Sequence, residues 1–125
     1  MSRLSIKTIR DLEKIYGFRN KTAIINYLNS NLDLVPVLEQ AYSYINKIFG
    51  DVPIYLELHK DPEEDWYELF IVINTALAPE DAIKLESRLF DEWFVNIISK
   101  VGNRLCFTEE PILWQNKHET YFIDD

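Results

Sequence analysis

Three consecutive stretches decide the fold of this 125-residue chain: Ile54-Tyr55-Leu56-Glu57-Leu58-His59-Lys60, then Asp61-Pro62-Glu63-Glu64-Asp65, then Trp66-Tyr67-Glu68-Leu69-Phe70-Ile71-Val72-Ile73-Asn74. The first alternates, with Ile54, Leu56 and Leu58 on one side and Tyr55, Glu57 and His59 on the other, as a strand requires. The third is rich in aromatic and β-branched residues, which suit a pleated surface. The middle five are a turn by composition. Pairing Lys60 with Tyr67 sets Leu58 against Leu69, Leu56 against Ile71 and Ile54 against Ile73, so one face is wholly apolar. A slip of one residue would set Leu58 against Glu68 and bury a carboxylate. The apolar face therefore fixes the register. The opposite face then pairs His59 with Glu68, Glu57 with Phe70 and Tyr55 with Val72. Trp66 joins it, and this aromatic, charged face needs a cover.

Downstream, Pro79 to about Val101 reads as one long helix. Pro79 suits its first position, and Glu80 and Asp81 favour its positive end. Ala82, Leu85, Leu89, Trp93 and Ile97 share a face, with Phe90 and Phe94 beside them. Gly102 stops it, and Arg104 to Thr108 is a third strand reached by a parallel crossover. Upstream, Ser5 to Tyr16 is a helix capped by Ser5 and stopped by Gly17 in a left-handed conformation. Asn20 opens a short helix with Ala23, Ile24, Tyr27 and Leu28 on one side. A third helix runs from Asp33 or Leu34 to Phe49, with the stripe Leu38, Ala41, Ile45 and Ile48, and ends at Gly50.

The order is α-α-α-β-β-α-β, an α+β fold. A helical N-terminal part, the hairpin, the long helix and the third strand form a small mixed sheet with helices packed on one face. Residues 1–125 form a single domain, with a basic helical head (1–31), a body (32–110) and a docked tail (111–125). The tail carries Ile112-Leu113-Trp114 and Tyr121-Phe122-Ile123, more apolar bulk than a solvated terminus holds.

Composition bounds the function. Apolar residues make up 47% and charged residues 27%, which excludes disorder as the default state. Cys106 is the only cysteine, no leader pattern opens the chain and no apolar run is long enough for a bilayer, so a cytoplasmic protein with no membrane partner is expected. Net charge is −8 and uneven: residues 1–30 hold six cations and two anions, the remainder seven cations and nineteen anions. Such a head can contact nucleic acid, a partner or its own acidic body. Arg10, Lys14, Arg19 and Lys21 are its candidate nucleic-acid contacts. Thr8, Leu12, Gly17, Phe18 and Ala23 loosely follow a helix-turn-helix, but Glu13 and Asn26 break the pattern.

No catalytic constellation stands out. His59, Asp61, Glu63, Glu64 and Asp65 are metal-ligand residue types, and His59 and Asp61 leave a strand on the same side. They lack the fixed spacing of a zinc or EF-hand site, and a solvated acidic turn is the simpler reading. His59 and Glu68 can form an acid–base pair, but no nucleophile is placed to use it. Cys106 lies in a strand without a nucleophile elbow, and His118 reads as a surface side chain. The pairs Asp91-Glu92 and Glu109-Glu110 are sequence neighbours and point apart. Trp93 with Phe90 and Phe94, and likewise Trp66 and Trp114, can line a pocket but read first as core. No Gly-rich phosphate loop occurs, and no cofactor is implied.

Ile54–Thr75 and Leu77–Ile98, a little over a third of the chain, resemble small uncharacterised bacterial proteins with an "LE…DP…LF…I.T" hairpin and a following helix that ends "FDEWW". Phe94 stands at the second Trp. The resemblance implies no activity and transfers no functional residue.

The expected function is a non-enzymatic protein–protein interaction module, homo-oligomeric, using Tyr55, Glu57, His59, Trp66, Glu68 and Phe70. Its rivals are a regulatory, antitoxin-like protein touching nucleic acid through residues 1–30, and a metal-assisted hydrolase built on His59 and Asp61.

Overall fold

A computed structural model describes residues 3–111. The tail clusters, Trp114 and His118 lie outside the described residues. Helix α1 spans Ile6–Ile15, strand β1 Gly17–Arg19, α2 Lys21–Asn29, α3 Leu34–Phe49, β2 Ile54–Lys60, β3 Tyr67–Thr75, α4 Pro79–Glu92, α5 Ile98–Val101 and β4 Leu105–Pro111. The four strands form one sheet in the order β1-β2-β3-β4. β2 and β3 are antiparallel, while β1 lies parallel to β2 and β4 parallel to β3. The fold is thus α+β, a central hairpin flanked on each side by a parallel strand delivered through a helical connection.

The hairpin register follows the apolar face. Ile54 opposes Ile73, Leu56 opposes Ile71, Leu58 opposes Leu69 and Lys60 opposes Tyr67. Leu56, Leu69, Ile71 and Ile73 are completely buried. They share one core with Leu12 and Tyr16 of α1, Ile24 and Leu28 of α2, Leu38, Ala41, Ile45 and Ile48 of α3, and Leu89 of α4. All the long helices therefore contribute to the same side of the sheet. Each fully buried Leu or Ile contributes about 1.5–3 kcal/mol through removal of apolar surface from water, so this layer dominates stability.

Helix ends follow local chemistry. The Ser5 hydroxyl accepts the Thr8 amide at 3.0 Å, capping α1, and Gly50 ends α3 at φ +85°. Buried Tyr16 donates its hydroxyl to the Leu38 carbonyl at 2.7 Å, tying α1 to α3. Arg104, just before β4, reaches both carboxylate oxygens of Asp33 at 2.8 Å, a bidentate tie from the β4 side of the molecule to the start of α3.

Four expectations are corrected. Gly17 does not stop α1 in a left-handed turn: the helix caps on extended Tyr16, and Gly17 begins β1. Its hydrogen is needed for another reason. A Cβ at Gly17 would lie 2.6 Å from Cδ1 of Tyr55, its partner across the parallel pair. With a strand between α1 and α2, the helix-turn-helix reading also lapses. The long helix expected to reach Val101 stops at Glu92, where Trp93 takes φ −133°. A 3-10 turn (Phe94–Asn96) and α5 complete the segment. The break lets two adjacent rings be buried in different directions: Trp93 stacks on Tyr44, and Phe94 meets Phe107 edge-on at 5.3 Å. Lastly, β4 runs on to Pro111, beyond the expected Thr108.

Candidate functional site

Alternation in four strands builds the sheet face away from the helices. The paired registers place on it Gly17 and Arg19 from β1, Tyr55, Glu57 and His59 from β2, Glu68, Phe70, Val72 and Asn74 from β3, and Cys106, Thr108 and Glu110 from β4. No described helix covers it. Val72 and Asn74 are nonetheless buried, while Tyr55, Phe70 and Cys106 are half-buried.

Arg19 lies over part of this face. It starts on one outer strand, and its guanidinium reaches Glu110 on the other, across a width of about three strand spacings, ~14 Å. Nη1 donates to Glu57 Oε1 at 2.8 Å and to Glu110 Oε2 at 3.0 Å, and Nη2 donates to Glu110 Oε1 at 2.8 Å. On the way the guanidinium lies 4.4 Å from the centre of the Tyr55 ring, a cation–π contact. Asn74 Nδ2 donates to the same Glu110 oxygen at 2.9 Å. On the other side Glu57 Oε2 meets His59 Nε2 at 2.5 Å, and the imidazole tilts against Phe70 at 4.7 Å. An unbroken polar line therefore runs Asn74–Glu110–Arg19–Glu57–His59.

Electrostatics follow the geometry. The Arg19 guanidinium and the His59 imidazole hold the Glu57 carboxyl below its ordinary range. Glu110, and then Glu57, hold the Arg19 guanidinium above its ordinary value against the cost of burial. Glu68 is pushed up by burial. Burial also pushes the Cys106 thiol up, the wrong direction for a nucleophile.

Of the expected interaction residues, Tyr55, Glu57, His59, Glu68 and Phe70 share this face, and Trp66 stands exposed at its hairpin end. His59 stands opposite Glu68, as expected, but its imidazole bonds to Glu57, two residues along its own strand. Asp61 turns its carboxylate onto the Glu63 and Glu64 amides, both at 2.8 Å, and so organises the turn. Among the described residues no three His, Cys, Asp or Glu side chains converge as metal ligands.

The basic head is scattered. Arg19 crosses to the sheet face, Lys21 pairs with Glu13 at 3.0 Å, and Lys14 lies 3.8 Å from Asp11. Arg10 stays exposed on α1. Among the described residues no helix is long and apolar enough to cross a membrane.

Sequence reasoning missed Gly17, Asn74 and Glu110 as members of this face. The parity of Cys106, Thr108 and Glu110 was readable along the strand. Three residues of β1 are too few to show any alternation, and nothing local signals that Arg19 spans the sheet. No protein-family model, curated protein or solved structure matches the chain.

Proposed function

We propose that this protein is a non-enzymatic interaction module that pairs with a second copy of itself through the sheet face away from its helices. The observation that carries the reading is a half-buried pair of aromatic rings, Tyr55 and Phe70, held in place by a continuous polar line, with no described helix over them. Rigid aromatic anchors inside a satisfied polar surround are what interface centres use. Arg19 is pre-ordered by three hydrogen bonds, so docking costs little side-chain entropy. The chemistry of the face supports recognition over catalysis, because the thiol is held protonated and the carboxylates of Glu57 and Glu110 are engaged by Arg19.

The basic head supports a nucleic-acid reading less well. Arg19, Lys14 and Lys21 face carboxylates of this chain and would have to leave them to meet phosphates. A metal-assisted reaction at His59 and Asp61 is likewise weakened, since the Asp61 carboxylate serves the turn.

Light scattering on the eluting protein tests the proposal. A dimer that Phe70→Glu converts to a folded monomer is expected. A wild-type chain that stays monomeric at hundreds of micromolar contradicts it.

A further inference from the structure

A surface that pairs with its own copy about a two-fold axis meets its own charges. On the sheet face away from the helices those charges are unequal. Arg19 supplies the positive charge, while Glu57, Glu68 and Glu110 are carboxylates. With a neutral imidazole at His59 the face therefore carries one positive charge against three negative, a net of −2. Asp61, on the same side of β2 and held to the turn, only deepens the imbalance. Like charges brought face to face oppose association.

His59 is the group that can change this balance, because imidazole is the side chain that gains and loses a proton near neutral pH. Its Nε2 lies 2.5 Å from Glu57 Oε2, its ring tilts against Phe70 at 4.7 Å, and its partner across the hairpin is Glu68. It thus stands among carboxylates beside one of the two aromatic anchors. The charged groups around it are Glu57 and Asp61 from β2, Glu68 from β3 and, beyond Glu57, Arg19 from β1. Lys60, of opposite parity, pairs with Asp65 at 3.0 Å. The His59 side chain is 52% exposed, so solvent reaches it in the single chain and a docked copy would enclose it. Arg19 and His59 hold Glu57 ionised, which keeps an anion beside the ring. Burial pushes Glu68 up, so its own protonation lowers the negative charge in the same direction.

Resting on the self-pairing reading, we propose that His59 gates association by its charge: the imidazolium form favours pairing and the neutral form opposes it. One proton per copy takes the face from a net of −2 to −1. Repulsion between two like faces scales with the product of their charges, so it falls about fourfold. Compensation works the same way. When docking excludes water, an imidazolium among Glu57 and Glu68 offsets both carboxylates, whereas a neutral ring leaves Glu68 enclosed without a cation opposite it. Association and proton uptake are then linked with one sign, and affinity rises as pH falls.

Sedimentation equilibrium of the full chain at about pH 6 and about pH 8 tests the gate. The wild type is expected to associate about threefold to tenfold more tightly at the lower pH, and added salt to narrow the difference. His59→Gln, uncharged at both, should keep the weaker association throughout. A second measurement needs no variant: the pH at which the His59 ring signals shift in NMR should be higher in concentrated than in dilute protein, the reciprocal of the same linkage. Equal wild-type affinity at both pH values overturns the gate and leaves self-pairing standing. A pH difference that survives intact in His59→Gln overturns it too, since another group would be sensing the proton. A wild-type chain that is monomeric at both pH values at hundreds of micromolar overturns self-pairing and the gate together. So does association that persists in Phe70→Glu, which would run through another surface, such as the α4 side where Ile83 and Phe90 are exposed.

Discussion

The two faces of the sheet are built from the same four strands and held by different physics. On the helix side, Leu56, Leu69, Ile71 and Ile73 are wholly buried by side chains from α1, α2, α3 and α4. On the other, one arginine from an outer strand lies over the Tyr55 ring and meets a carboxylate from the opposite outer strand. The first face is local in its logic, since alternation within one strand specifies it. The second is assembled from residues as far apart as Arg19 and Glu110, so it exists only once the sheet is complete. The helix side should carry stability, and the other should carry specificity.

The largest expected effect is therefore on the helix side. Ile71→Ala should cost about 2–5 kcal/mol in denaturant unfolding, whereas Phe70→Ala, one residue along and facing the other way, should cost much less in the monomer. Equal losses would dissolve the distinction between the faces.

Next comes Gly17→Ala. The added methyl meets the Tyr55 ring at 2.6 Å and should cost about 1–3 kcal/mol. Tyr55→Ala on the same chain should recover most of that loss, a non-additivity that a double-mutant cycle would expose. Additive losses would mean the ring is not what Gly17 accommodates.

The smallest effects concern pH, and their signs oppose. Glu109 points to the helix side, where burial first and the neighbouring Glu86 carboxyl second push its pKa up to about 7. A raised folded-state value favours the protonated form in the native state. That contribution is full below the ordinary carboxyl range and is lost as pH rises through about 7. Glu57, on the far face, is depressed by Arg19 and His59, so its contribution is full above the ordinary carboxyl range and is lost as pH falls through the lowered value. Thermal melts of Glu109→Gln should lose the decline in stability on the neutral-to-alkaline limb, and those of Glu57→Gln should flatten the acid limb. An unchanged alkaline limb in Glu109→Gln would remove the buried-carboxyl account.

How much of this was legible in the sequence follows from the same contrast. The hairpin register was readable, because a slip of one residue puts Glu57 and Glu68 among leucines. The α3 stripe was readable for a similar reason, since Leu38, Ala41, Ile45 and Ile48 recur at helical spacing and all are buried. The break at Trp93 was not, since it answers to Tyr44 and Phe107, which are distant in the chain. Nor was β1, whose three residues form a strand only because β2 lies beside them. At the candidate site, the hairpin's own contribution was visible, down to the shared side of Tyr55, Glu57 and Phe70. Arg19 was visible only as a positive charge, and its three hydrogen bonds depend on strand order, which no local pattern encodes.

Isotope-filtered NMR on a mixture of labelled and unlabelled chains tests the self-pairing claim most directly. Contacts between copies from the Tyr55 and Phe70 rings, absent in Phe70→Glu, are the predicted result. Inter-copy contacts that arise only from Ile83 and Phe90 on the opposite side, or none at all at millimolar concentration, would contradict it.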